Sequence, residues 1–141
     1  MADPVQPSNL AMAVAATALQ AQQARMRVIA ENLANADSAG KTPGEDPYRR
    51  KIPTFSSEFD RELDARVLKM GRIGQDQSDF KFKYDPSHPA ADANGNVKFP
   101  NVNSLVEMTD LREAQRSYEA NLNVVTATRR MIQRTLDILR A

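Results

Sequence analysis

The chain has 141 residues, 19 basic and 18 acidic side chains, a formal net charge of +1 and 41% hydrophobic residues, with five Phe, three Tyr, no Trp and no Cys. That length suggests one domain, or one with an arm, and a modest core, because much of the apolar count is alanine, especially before residue 40. The near-zero charge excludes a strong field for nucleic acid or an acidic membrane, and the missing cysteine excludes disulfides, thiolate metal sites and cysteine nucleophiles while leaving the redox compartment open.

No run of 18 apolar residues occurs, and Met1–Leu10 carries no basic segment. Neither a membrane span nor a Sec-type signal peptide is therefore expected. The chain reads as cytosolic, or as exported by a route that needs no cleavable signal.

Residues 1–7 read as a disordered tip. Ser8 or Asn9 then caps a helix running to about Asn35. Its seam steps by heptads through Met12, Ala15, Leu19, Gln22, Met26, Ile29 and Leu33. The composition favours helix, but Ala15 is small and Gln22 polar, so the seam is weak and calls for a partner. Asn32 and Asn35 admit two roles. Asn stops helices by tolerating the left-handed conformation. A buried amide can also fix register against a neighbouring chain.

The pattern changes from Ala36 to Glu107. Gly40, Pro43, Gly44, Pro47 and Pro53 punctuate a loop and one strand, Tyr48–Phe55. Ser56–Lys69 is polar and reads as a short helix or a mobile loop, and Val67–Ile73 holds a short strand. Phe80, Phe82 and Tyr84 alternate with Lys81 and Lys83, which predicts a strand with one buried face. Asn94-Gly95 is a turn signal, and Val97 and Phe99 form a return strand.

The last helix is expected over Thr109–Arg140, with Thr109 as N-cap and Asp110 and Glu113 in its first turn. Leu111, Tyr118, Val125, Ile132 and Leu139 are seven apart, with Gln115, Leu122, Arg129 and Leu136 between them. Val124, Met131 and Ile138 make a second stripe roughly 100° around. The second half of this helix therefore has a broad apolar face that wants more than one neighbour. At about 1.5–3 kcal/mol per large side chain, leaving that face wet is costly.

Chemistry finds little support. His88, the only histidine, sits in a proline-rich turn. Asp92-Ala93-Asn94-Gly95 resembles part of a calcium loop, but Ala90 stands where the first acid belongs and Asn101 where the bidentate Glu belongs. Arg49-Arg50-Lys51 reads as the solvated, charge-protected edge of a strand rather than a phosphate site. No glycine-rich phosphate loop is present. No catalytic residue, metal, cofactor, nucleic acid or small-molecule substrate is expected.

Val28-Ile29-Ala30-Glu31-Asn32-Leu33-Ala34-Asn35 resembles the N-terminal signature of bacterial flagellar axial proteins (rod, hook and related). Tyr84-Asp85-Pro86-Ser87-His88-Pro89, Asp92-Ala93-Asn94-Gly95 and Lys98-Phe99-Pro100-Asn101-Val102-Asn103 resemble the middle of the proximal-rod members. Tyr48-Arg49-Arg50-Lys51, Glu107-Met108-Thr109-Asp110-Leu111 and Arg116-Ser117-Tyr118-Glu119-Ala120-Asn121 extend the likeness to nearly the whole chain. It departs at Ala16-Thr17-Ala18, where a Ser-Gly pair is usual, and in the polar Ser56–Met70.

The resemblance implies a mainly α fold. Residues 1–35 and 109–141 would pair as one antiparallel coiled-coil domain, and 36–108 would form a β-rich and loop middle. It implies a structural subunit of the proximal rod, exported by the flagellar type III apparatus and lying in the basal body within the periplasm. The partners would be copies of itself, neighbouring proximal and distal rod subunits, the rod-to-ring adaptor and the export apparatus. The expected assembly interface is Leu19, Met26, Ile29, Asn32, Leu33 and Asn35 on the first helix. On the last it is Leu111, Tyr118, Leu122, Val124, Val125, Met131, Ile132, Leu136, Ile138 and Leu139. A soluble helical adaptor is the alternative; an enzyme is a distant third.

Overall fold

The computed structural model describes residues 7–140. Two long helices, α1 (Pro7–Ala34) and α2 (Ser104–Arg140), flank six short strands. The fold is mainly helical, with a small antiparallel middle. The expected tip lies outside the described residues except for Pro7, which opens α1. Proline suits a first helical position because its missing N–H has no partner there anyway. Ser8 and Asn9 therefore stand inside the helix rather than before it.

The strands are β1 (Lys51–Ile52), β2 (Phe55–Asp60), β3 (Ala65–Met70), β4 (Gly74–Gln75), β5 (Lys81–Tyr84) and β6 (Asn96–Phe99). They pair as three separate antiparallel ribbons, β1 with β4, β2 with β3 and β5 with β6. The expected strand Tyr48–Phe55 shrinks to two residues, since Pro53 has no N–H to donate and β2 starts anew at Phe55. Ser56–Lys69 is neither helix nor loop. It is most of a six-pair hairpin in register from Phe55↔Met70 to Asp60↔Ala65. Its turn is held by Asp60 Oδ1, which accepts from the N–H groups of Glu62 and Leu63. Asp64 there takes φ +49°, which Asp tolerates better than most residues.

Asn94-Gly95 turns as expected, with Gly95 at φ +82°, and joins β5 to β6. A Cβ at Gly95 would stand 2.8 Å from the Tyr84 ring, so the turn has no room for a side chain. The predicted buried face of β5 is not buried. Phe82 and Tyr84 are 63% and 70% exposed, because a two-stranded ribbon offers only one partner strand.

α2 starts five residues before Thr109. Asn103 is its cap: Oδ1 accepts from Leu105 N–H at 3.1 Å, and its carbonyl accepts from Glu107 N–H at 3.0 Å. Thr109 is interior, its hydroxyl bonding back to the Leu105 carbonyl. The acid in the first turn is therefore Glu107, not Asp110 or Glu113.

The chain divides into two compact units that cut across both helices. The first takes the chain up to Arg25, Phe55–Gly71 and Glu113 onward; the second takes Met26–Thr54 and Arg72–Arg112. The first unit buries Ala15, Ala21, Gln22, Val67, Ala114 and Thr128. The second buries Val28, Ile29, Asn32, Ala36, Ala90, Val97, Val102 and Glu107. No helix among the described residues is long and apolar enough to cross a membrane.

Candidate assembly interface

The second unit is organised around two buried polar side chains, Asn32 near the end of α1 and Glu107 in the first turn of α2, both 0% exposed. The Asn32 amide donates to the Lys51 carbonyl at 2.8 Å and to Glu107 Oε2 at 3.1 Å. Its oxygen accepts from the Tyr48 hydroxyl at 2.8 Å and from Lys51 N–H at 2.9 Å. Two donors and two lone pairs are thus all used inside one chain. The register bond to a neighbouring chain expected of Asn32 has no donor or acceptor left to make it. Asn35 spends its amide on the Glu31 carbonyl at 2.9 Å, and its oxygen accepts from the Ser38 hydroxyl at 3.3 Å, both local to the helix end.

Glu107 Oε1 accepts from Arg50 Nε at 2.6 Å. Arg50 also lies 3.6 Å from the Asp76 carboxylate and 3.8 Å from that of Asp110. Burial pushes the Arg50 guanidinium down, but the hydrogen bond and charge of Glu107, with Asp76 and Asp110, outweigh it and hold it above the ordinary arginine value. A buried carboxylate survives only when paired and hydrogen-bonded, and the planar guanidinium fork can serve several carboxylates at once. Burial, then the charges of Glu31 and Glu107, push the Tyr48 hydroxyl up to about 12. The Ser78 backbone N–H, aided by Arg50, holds Asp76 below the usual carboxylate range.

The triplet Arg49-Arg50-Lys51 is therefore not a solvated edge. Arg49 donates to the carbonyls of Asp76 and Ser78 and stacks 4.2 Å from the Phe80 ring centroid. Lys51 pairs with Glu31. Asn101 completes the stitching: it accepts from Arg50 N–H at 2.8 Å and donates to the Asp76 carbonyl at 3.0 Å. Sequence reasoning missed Glu107, Tyr48, Asp76 and Arg50 as one group. The available signal was a run of three cations in a chain with no phosphate motif, which must find carboxylates somewhere.

His88 and Asp92 serve turns. His88 Nδ1 accepts from Ala90 N–H at 3.1 Å, and Asp92 Oδ1 accepts from Asn94 and Asn96 N–H at 2.8 Å each. Among the described residues no cluster of three or more His, Asp or Glu is placed to hold a metal ion.

The first unit has the opposite character. Arg25 meets Glu113 at 3.8 Å, while Leu10, Val14 and Ala18 share a hollow with Asn121 and Val124, so α1 and α2 face one another in opposite senses there. Along α1, Ala15, Gln22 and Ile29 of the heptad row are buried, as are Ala21, Val28 and Asn32 beside it, while Met12, Leu19, Met26 and Leu33 are half-buried. On α2, Leu111, Tyr118, Val125 and Ile132 are half-buried. The intervening row is one residue out. Ala114, Asn121 and Thr128 turn inward, whereas Gln115, Leu122, Arg129 and Leu136 are exposed.

The rest of the apolar surface of α2 is uncovered in the single chain. Leu122, Val124, Met131, Leu136, Ile138 and Leu139 range from 42% to 77% exposed. Met131 and Ile138 line a shallow hollow with Ala127, Thr135, Arg130 and Arg134. Val124, Met131 and Ile138 form one apolar row and Leu122 and Leu136 another across the helix, and exposed rows of this kind mark interaction surfaces.

Comparison with known proteins agrees with that character. The family described as "Flagella basal body rod protein" matches residues 12–40, and "Flagellar basal body rod FlgEFG protein C-terminal" matches residues 93–138. The flagellar basal-body rod protein FlgC of Agrobacterium fabrum is 50% identical over 135 residues, covering 96% of this chain and 97% of that one. Its counterpart in Bacillus subtilis is 41% identical over 140 residues, covering 89% and 93%. That of Salmonella typhimurium is 39% identical over 125 residues, covering 89% and 92%.

Proposed function

Because this chain belongs to the FlgC family of flagellar basal-body rod proteins, we propose that it builds the proximal rod by helical assembly through its terminal helices and transmits torque there. The family is structural, not enzymatic, and places the chain in the flagellar basal body. In this reading the two ends of the chain pair as an antiparallel coiled coil, and the coils of neighbouring subunits pack side by side. The chain leaves the cytoplasm through the flagellar type III apparatus and lies in the periplasmic part of the rod. It meets copies of itself, other proximal and distal rod subunits and the rod-to-ring adaptor.

One observation carries the reading: α2 exposes Leu122, Val124, Met131, Leu136, Ile138 and Leu139 along one chain. An exposed surface of that size is stable in a cell only when neighbours cover it. The test is Val125→Asp or Ile132→Asp. Swimming is lost while the protein is still made and exported. Normal swimming in both variants overturns the proposal.

A further inference from the structure

Two exposed patches of the first unit are opposite in charge, and each carries exposed apolar side chains. The turn of the β2–β3 hairpin, residues 58–64, holds Glu58, Asp60, Glu62 and Asp64 against the single cation Arg61. Glu58 is committed to Lys69 at 2.8 Å and Asp60 to its own turn, which leaves Glu62 and Asp64 exposed without an ion pair among the described residues. Beside them Phe59 is 58% exposed. The register explains why: Glu58 pairs with Val67, which is 1% exposed, so its neighbour Phe59 stands on the opposite, uncovered face.

The end of α2 is the converse. Residues 129–140 hold Arg129, Arg130, Arg134 and Arg140 against Asp137 alone. None of these arginines forms an ion pair among the described residues, and Asp137 is already engaged by Gln133 at 2.9 Å. Arg130 and Arg134, four apart and so on one face, flank the hollow of Met131 and Ile138, whose other walls are the small Ala127 and Thr135. The result is an apolar seat with two cations along one side of it. Phe59 stands on the exposed face of the ribbon opposite Arg66, with the exposed anions Glu62 and Asp64 in the turn beyond it. Within one chain both remain exposed: Phe59 58%, Met131 59%, Ile138 76%.

We propose that the hairpin turn of one copy docks on this seat of α2 in the next copy, Phe59 resting on Met131 and Ile138 with Glu62 and Asp64 facing Arg130 and Arg134 along its edge. The contact joins two different patches of identical chains, so it is head-to-tail, the kind of contact that builds an extended helical stack when its rotation does not close. It deepens the rod reading by naming one of its interfaces. Opposite charges fix partner and register here more than they add affinity.

The chain has no cysteine of its own, which makes a disulfide test clean. Phe59→Cys and Met131→Cys are introduced singly and together into the full chain in cells, and basal bodies are purified after oxidation. The double variant gives a ladder of disulfide-linked copies in multiples of 15.7 kDa, and neither single variant does. No ladder from basal bodies that contain the double variant overturns the proposal and leaves the rod reading intact. A crosslink to a protein of another mass overturns the choice of a second copy. Absence of the unaltered chain from basal bodies sinks the rod reading itself. Charge reversal decides the matter if the double cysteine variant fails to assemble. Arg130→Glu with Arg134→Glu abolishes swimming, Glu62→Lys with Asp64→Lys does the same, and all four together restore it. Failure of the four to restore swimming, or unimpaired swimming in either pair, counts against the docking.

Discussion

The two units of this chain solve the burial problem in opposite ways. The second unit closes its polar interior on itself, although Phe82, Tyr84, Leu105, Val106 and Met108 stay exposed on its surface. Its two fully buried polar side chains, Asn32 and Glu107, find every partner within the unit, and its apolar interior is built from Val28, Ile29, Val97 and Val102. The first unit stays open. Half of its buried residues are alanine, it buries Gln22 with an oxygen that has no hydrogen-bond partner, and it leaves six large side chains of α2 exposed. Burying alanine gains little free energy, because the gain scales with apolar area. A unit of small side chains with large ones outside is stabilised by what joins it later. The contrast lies in the interiors: hydrogen-bonded polar groups and valines in the second unit, small side chains and an unpaired amide oxygen in the first.

The largest effect falls on the closed unit. Glu107→Ala leaves Arg50 beside Asp76 and Asp110 without its shortest contact and strips Asn32 of an acceptor. Removing one partner of a buried pair costs about 3–5 kcal/mol. Chemical denaturation followed by circular dichroism measures it, and a loss below about 1 kcal/mol would show that the hub is ornamental. Asn32→Leu comes next. It leaves Lys51 N–H and the Tyr48 hydroxyl without their partner at a cost of about 2–3 kcal/mol. If the mutant were as stable as the parent chain, the amide would be free for a neighbouring subunit after all.

Alkaline pH probes the same hub more gently. The Tyr48 hydroxyl titrates near 10 when unfolded and at about 12 when folded, so the unfolded state releases its proton first. The contribution of Tyr48 is complete below pH 10 and is lost as pH rises through about 12. Tyr48→Phe costs about 1 kcal/mol at neutral pH through the lost hydrogen bond and flattens that alkaline fall. An equal fall in the mutant would place the titration elsewhere.

The smallest effects are predicted in the open unit, and they sharpen the contrast by their sign. Gln22→Leu removes a buried oxygen without a partner and stabilises the chain by about 1 kcal/mol. Ile138→Asp changes a side chain already 76% exposed, so the isolated chain shifts by no more than about 0.5 kcal/mol. A large loss of monomer stability in Ile138→Asp would show that this end of α2 is covered by its own chain.

Much of the fold is legible in the amino-acid sequence. Heptad spacing locates both helices, and Asn94-Gly95 locates the β5–β6 turn, because both signals are local. The hairpin β2–β3 is not legible: Ser56, Ser57, Glu58 and Asp60 carry no apolar alternation, since only Val67 of the ribbon is fully buried. Sequence spacing misplaces the inward row of α2 by one residue because Ala114, Asn121 and Thr128 look less like a seam than Leu122 and Leu136 do. Hydrophobicity favours the larger side chain, whereas closely approaching helices favour the smaller. Asn103, not Thr109, caps α2 because Pro100 stands upstream and nothing from Ser104 onward breaks a helix.

Residue spacing alone dictates two long helical segments and a chain with more apolar surface than one copy covers. Backbone geometry turns such spacing into faces without help from distant residues. It takes the folded chain to assign both Arg50 and Asn32 to Glu107, 57 and 75 residues apart. A buried charge accepts whichever opposite group the fold delivers within hydrogen-bonding distance, and that delivery depends on the whole path of the chain rather than on any stretch of it.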